Sequence, residues 1–274
     1  MSQRIVPPGH GLPPIADRPA RLLALEHAPD VVSTKTEEIY KTLLGHSDHL
    51  RTGNFTAIGV FDLEMMFAVY DRSFFDDLLS RMLRDDDAYP VEFRLSGRLT
   101  RSAGTTTRRR RRVPSPHGPV VKTEYAITIS TTLLFATFRT SERSVTVSGL
   151  PVRDRLEALQ RIFEHELLHL AENLAWGASS CARENFQNLS RRIFAHQAVH
   201  HELVTPREQA AVQHGIHVGD LVSFEHEGVR RVGLVNRITR RATVLVEDPK
   251  GRLYTNGKTF LTFYVPLPLL RKAP

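Results

Sequence analysis

The sequence has a single cysteine, Cys181. No disulfide can form within the chain, and a reducing cytosol fits. No apolar run reaches the roughly 18 residues that a membrane span needs, so no membrane partner is expected. The opening MSQRIVPPGHGLPP has no apolar signal core, so secretion is not expected either. No internal repeat is visible. Acidic residues are also short: 30 Asp and Glu stand against 37 Lys and Arg, giving a formal charge of +7. That balance favours a polyanionic partner, nucleic acid being the commonest. Much of the excess sits in one run, Arg108, Arg109, Arg110, Arg111 and Arg112.

What is present suffices for one large domain or two modest ones in 274 residues. Residues 1–20 are Pro-rich and aperiodic and read as a flexible arm, with helix-compatible sequence to about residue 50. From Leu63 to Leu83 apolar residues recur at three- and four-residue steps, predicting one amphipathic helix that DDDAYP ends. VEFRLSGRLT and EYAITIS alternate as strands do. The arginine run between them reads as part of an exposed loop, 105–120, because five like charges repel and cannot be core. Either a solvated tip or a phosphate-contacting loop would suit it.

A long helix is predicted from Arg153 to Trp176, with Gly177 as its stop. Leu156, Leu159, Phe163, Leu167, Leu170 and Leu174 form its apolar stripe. Ala158, Ile162, His165, His169 and Glu172 share a second face, expected to present chemistry. Glu184–His201 reads as another helix, and Thr205-Pro206 as a helix start. From Val218 short strands separated by EHEG, DPKG and TNGK suggest a small barrel. The expected organisation is α+β: an arm and leading helix over 1–50, a catalytic domain over 51–204, and an SH3-like all-β barrel over 205–274.

The long helix contains His165-Glu166-Leu167-Leu168-His169. Histidines at i and i+4 lie one turn apart on one face, so both imidazoles can bind one zinc ion, Zn2+. Glu166 would stand beside the metal. There it can take a proton from a water whose pKa the metal has lowered to about 7, and pass it to a leaving amine. With 13 histidines in the chain, the pattern can also arise by chance.

Three separated stretches resemble the SprT-like (Spartan-type) zinc metallopeptidases: LEMMFAVYDRSFFDDLL, RLSGRLTRSAG, and EYAITISTTLL followed by HELLHLAE. The likeness covers about residues 60–195. It implies a zincin-like fold and a zinc endopeptidase, with His165 and His169 as ligands and Glu166 as catalytic base. Some members degrade proteins crosslinked to DNA, recruited by a separate DNA-binding element. The family's third ligand is a histidine in an H-G-x-x-F segment. The matching SSCARENF has none, so Cys181 is nominated. A small buried apolar role is its alternative. Glu184, His196 and Glu172 are the other candidate ligands. Glu172 suits a hydrogen bond to a ligating imidazole better, and His196 pairs with His200 at i, i+4. A cysteine ligand donates more charge than histidine, so slower turnover is expected.

The C-terminal segment adds Arg230, Arg231, Arg240 and Arg241, with Tyr254 and Phe260 available to stack on bases. Nucleic-acid binding, DNA or RNA, and simple docking both fit. Two functions follow: a zinc endopeptidase acting on DNA-associated or crosslinked proteins, or a non-cleaving zinc-binding scaffold associated with nucleic acid. Cytoplasmic placement is expected, on the nucleoid if DNA is bound.

Overall fold

The structure, a computed structural model, describes residues 14–88, 90–116, 118–140 and 144–273. Most of the expected arm, residues 1–13, lies outside them, as does His117 of the arginine loop. The fold is mixed α+β, and the chain divides into two compact units, Met1–Leu203 and Val204–Pro274.

The first unit opens with α1 (Arg18–Leu23), α2 (Pro29–His46), α3 (Val60–Phe75) and α4 (Leu78–Asp85). The single helix expected over 63–83 is therefore two. Asp76 and Asp77 both take left-handed backbone (φ 51° and 58°). Just upstream, the buried Asp71 carboxylate accepts from the Leu79 and Ser80 amides, each at 2.9 Å. A side chain of α3 thus caps α4. The apolar periodicity runs across the break because both helices face one core.

β1 (Glu92–Ser96), β2 (Gly104–Val113) and β3 (Val120–Ser130) form a sheet in the order β1-β3-β2. β1 runs parallel to β3, and β2 antiparallel. The arginine run is thus strand β2, not a loop. Neighbouring residues of a strand point to opposite faces, which separates charges that a coil would leave crowded. The arginines remain exposed as expected.

α5 (Thr131–Thr140), the short hairpin of β4 (Val145–Val147) and β5 (Leu150–Val152), α6 (Arg155–Trp176) and α7 (Glu184–Phe194) complete the unit. α6 is its central helix. Asp154 caps it by accepting from the Glu157 amide at 3.0 Å, and Gly177 (φ 72°) ends it as predicted. Burial extends beyond the expected stripe: Ala158, Ile162 and Glu172 are buried as well, while His165 and His169 are half-exposed. α7 stops at Phe194, short of the expected His201. Ala195 turns left-handed (φ 54°), and the Ala195 and His196 amides return to the Arg191 and Ser190 carbonyls. His196 and His200 therefore share no helix.

The second unit starts with α8 (Pro206–His214), capped by Thr205 Oγ1 accepting from the Glu208 amide at 3.1 Å. β6 (Leu221–His226), β7 (Val229–Ile238), β8 (Ala242–Leu253), β9 (Thr259–Val265) and β10 (Arg271–Lys272) form one antiparallel sheet. Its order is β10-β6-β7-β8-β9. No closed barrel forms among the described residues. The Glu227-Gly228 and Asn256-Gly257 turns stand where expected, with positive φ at both glycines. DPKG is not a turn between strands. It bulges within β8, where Glu247 and Arg252 both oppose Phe260. The β7–β8 turn lies instead at Thr239–Arg241.

Candidate metal centre

α6 carries His165 and His169 one turn apart, and their Nε2 atoms lie 3.2 Å apart. The loop after Gly177 brings Cys181 to them. One ligand atom from each of the three residues falls within 4.8 Å of the others, a group able to hold a metal ion. Two nitrogens bound to one tetrahedral zinc would lie roughly 3.3 Å apart at ordinary Zn–N distances, so the histidine spacing fits. Phe186 of α7 walls the group, its ring centroid 4.9 Å from that of His165 and 4.5 Å from that of His169.

The hydrogen bonds around His169 set its tautomer. Ser179 Oγ donates to Glu172 Oε2 at 2.5 Å and lies 2.7 Å from His169 Nδ1. With its only proton committed to the carboxylate, the hydroxyl accepts from Nδ1–H. Nε2 then keeps its lone pair facing His165 and Cys181, as a ligand must. Asn185 Nδ2 donates to the other Glu172 oxygen at 2.8 Å. Burial, with the neighbouring His169 second, pushes His165 down to about 3, and burial also lowers His169. Both imidazoles are neutral at physiological pH and need shed no proton to bind a cation.

Glu166 is buried beside this group. Thr106 Oγ1 lies 2.7 Å from its Oε2 and 2.9 Å from its backbone carbonyl. A Cβ at Gly104 would stand 2.7 Å from Glu166 Cγ, so the strand approaches this carboxyl closely only because that residue is glycine. Burial raises the Glu166 pKa to about 7, against the lowering effect of the Thr106 bond. A carboxyl poised there can both take and return a proton near neutrality.

The other nominated ligands stand elsewhere. Glu184 is exposed in the first turn of α7. Glu172 reaches His169 only through Ser179. His196 Nε2 lies 2.8 Å from Glu164 Oε2, in a sealed cluster where Tyr70 and Arg161 also donate to Glu164. Thr106, Ser179 and Asn185 were not foreseen. Strand alternation places Thr106 on the face of Gly104, but nothing local marks Ser179 or Asn185.

The basic residues differ in their freedom. Arg108 Nη1 donates to the Gly177 carbonyl at 2.7 Å, at the negative end of the α6 dipole. Arg111 pairs with Glu124 at 3.4 Å. In the second unit Arg231 lies over Phe263, its Cζ 5.2 Å from the ring centroid, and Arg230 approaches Ser223 Oγ at 3.5 Å. Arg240 and Arg241 are exposed at the β7–β8 turn. Tyr254 and Phe260, the aromatics expected to be available to bases, are half-buried and meet edge to face, centroids 5.3 Å apart. Compared with protein-family models, curated proteins and solved structures, the chain matches none.

Proposed function

We propose that the protein is a zinc-dependent endopeptidase of the SprT-like (Spartan-type) kind, with a zincin-like catalytic unit and an SH3-like second unit. In this reading it is recruited to DNA and acts on DNA-associated or crosslinked proteins. The observation that carries it is the convergence of Cys181 with His165 and His169 of a helix whose residue after His165 is the buried Glu166. Two imidazoles and one thiolate suit zinc, and three protein ligands leave a tetrahedral ion one open position, the mark of a catalytic rather than a structural site. When bound, zinc supplies Lewis acidity and lowers the pKa of a coordinated water.

The chain's own groups do the rest. Glu166 holds and moves the proton at its Oε atoms. Thr106 orients that carboxyl, and the Glu172–Ser179 relay fixes the His169 tautomer. Among the described residues β2 pairs only with β3, so no strand occupies its other edge. An extended polypeptide can add to that edge beside Glu166 through main-chain hydrogen bonds.

The test is elemental analysis of zinc per chain in the native protein and in Cys181→Ala, beside cleavage of an unstructured protein by native chain and Glu166→Gln. One zinc that Cys181→Ala loses, with cleavage that Glu166→Gln abolishes while keeping zinc, is expected. Zinc without Glu166-dependent cleavage would favour the non-cleaving scaffold. A native chain without zinc would end both readings.

A further inference from the structure

β1 pairs with β3 only as far out as Glu92 opposite Ala126. Beyond that row β2 and β3 continue as a two-stranded ribbon, from Arg108 opposite Tyr125 to Val113 opposite Val120. Directly opposed residues of an antiparallel pair share a face. One face carries Arg109 with Glu124 and Arg111 with Lys122; the other carries Arg108, Arg110 and Arg112 opposite Tyr125, Thr123 and Val121.

The two faces differ in charge balance. On the first, Arg111 pairs with Glu124, Lys122 pairs with Asp87 at 2.7 Å, and Glu92, bonded to Arg94, also lies near Arg109. That face is largely balanced. The second turns toward α6, since Thr106 on it meets Glu166 and Arg108 meets Gly177. Here Arg110 and Arg112 are exposed, and among the described residues neither has an ion pair. Two strand steps separate them, about 6.7 Å. Gly177, whose carbonyl Arg108 meets, directly follows Trp176, the only tryptophan, which is 39% exposed and without a ring or cation partner among the described residues.

We propose that this α6-facing side of the ribbon is a binding site for single-stranded nucleic acid, with Arg110 and Arg112 on the phosphates and the Trp176 indole stacked on an unpaired base. Free guanidinium groups supply the sequence-independent attraction to a phosphate track. An exposed aromatic at one end of that track selects unstacked bases over a closed duplex. The inference rests on the recruitment part of the proposed function and requires neither zinc nor cleavage. The Arg108–Gly177 bond places the bound strand beside the loop that supplies Ser179 and Cys181.

The experiment is fluorescence anisotropy of labelled oligothymidine, oligouridine and a mixed-sequence duplex with the full chain. Two charge-reversal pairs, Arg110→Glu with Arg112→Glu and Arg109→Glu with Arg111→Glu, change the net charge equally and alter opposite faces, the second also removing the Arg111–Glu124 pair. The first pair is expected to weaken single-strand binding more than about tenfold and the second far less. Trp176→Ala should cost about tenfold. The milder pair Arg110→Gln with Arg112→Gln should lower the slope of log affinity against log salt by about 1.4. Oligothymidine and oligouridine should bind alike, since phosphates and base faces are common to both. Equal losses from both reversal pairs, tighter binding to the duplex, or no binding by the native chain would overturn the proposal. None of these outcomes bears on whether zinc is present, so the metal reading stands or falls separately.

Discussion

Two histidine–carboxylate networks hang from α6, and they do opposite things. In the sealed one, Glu164 takes Tyr70 Oη at 2.9 Å, Arg161 Nη1 at 3.0 Å to each oxygen, and His196 Nε2 at 2.8 Å. Burial alone would raise the Glu164 carboxyl, but Arg161 and His196 outweigh it and hold it below its ordinary value. This cluster joins α3, α6 and the segment after α7. In the open network, one turn or two along, Glu172 touches no imidazole. It acts through the Ser179 hydroxyl, which fixes His169 and leaves its Nε2 lone pair free. The imidazole that Glu164 touches is sealed in the core, with both side chains fully buried. A carboxylate set a hydroxyl away orients the imidazole and leaves it available.

Substitutions can break this contrast. The largest loss of stability is expected from Glu164→Gln, which leaves the largely covered Arg161 without its counter-charge inside a sealed cluster and should cost about 3 kcal/mol. Trp176 is the only tryptophan and lies in the first unit, so its fluorescence in a denaturant titration follows that unit. The folded variant should still bind zinc. Glu166→Gln should do the reverse to stability. The folded Glu166 carboxyl titrates near 7 and an unfolded one near 4.3. The cost of ionising it in the buried site is therefore absent below the unfolded value and complete above about pH 7. Metal-free Glu166→Gln should be more stable than the native chain by up to about 4 kcal/mol at pH 8, a gain that shrinks toward pH 5. A pH-independent difference would count against this burial argument.

Ser179→Ala tests the open network. It should weaken zinc binding about 10–100-fold in competition with a chelator, the usual cost of losing a partner behind a ligand, with little change in stability. If Glu164→Gln and Ser179→Ala moved zinc affinity and stability in parallel, the two networks would not be distinct. The smallest effect is expected at the turn that carries His196 away from α7. Ala195→Gly should stabilise by about 1 kcal/mol, because glycine bears left-handed backbone without a Cβ penalty.

Much of this arrangement is local and so could be read from the chain. Asp154 and Gly177 bracket α6 because a cap and a left-handed stop act within a turn of their own residues. The i, i+4 spacing sets His165 and His169 on one face for the same reason. Thr205 before Pro206, and the Gly228 and Gly257 turns, are equally short-range. The misreadings share a cause. The α3–α4 break depends on Asp71 reaching amides eight and nine residues ahead, and the arginine run became a strand because β3 pairs with it. The end of α7 at Ala195 left His196 free to meet Glu164.

The sequence by itself determined the long helix α6, its two histidines one turn apart and the carboxyl between them, since helical geometry alone fixes those spacings. Only the tertiary structure decided that Cys181, rather than Glu184, His196 or Glu172, joins the histidines. It also decided that Glu172 works through Ser179, and that two arginines of β2 stay free while Arg108 and Arg111 are engaged. Each of these depends on where separate segments meet in space, and periodicity along one segment carries no information about that.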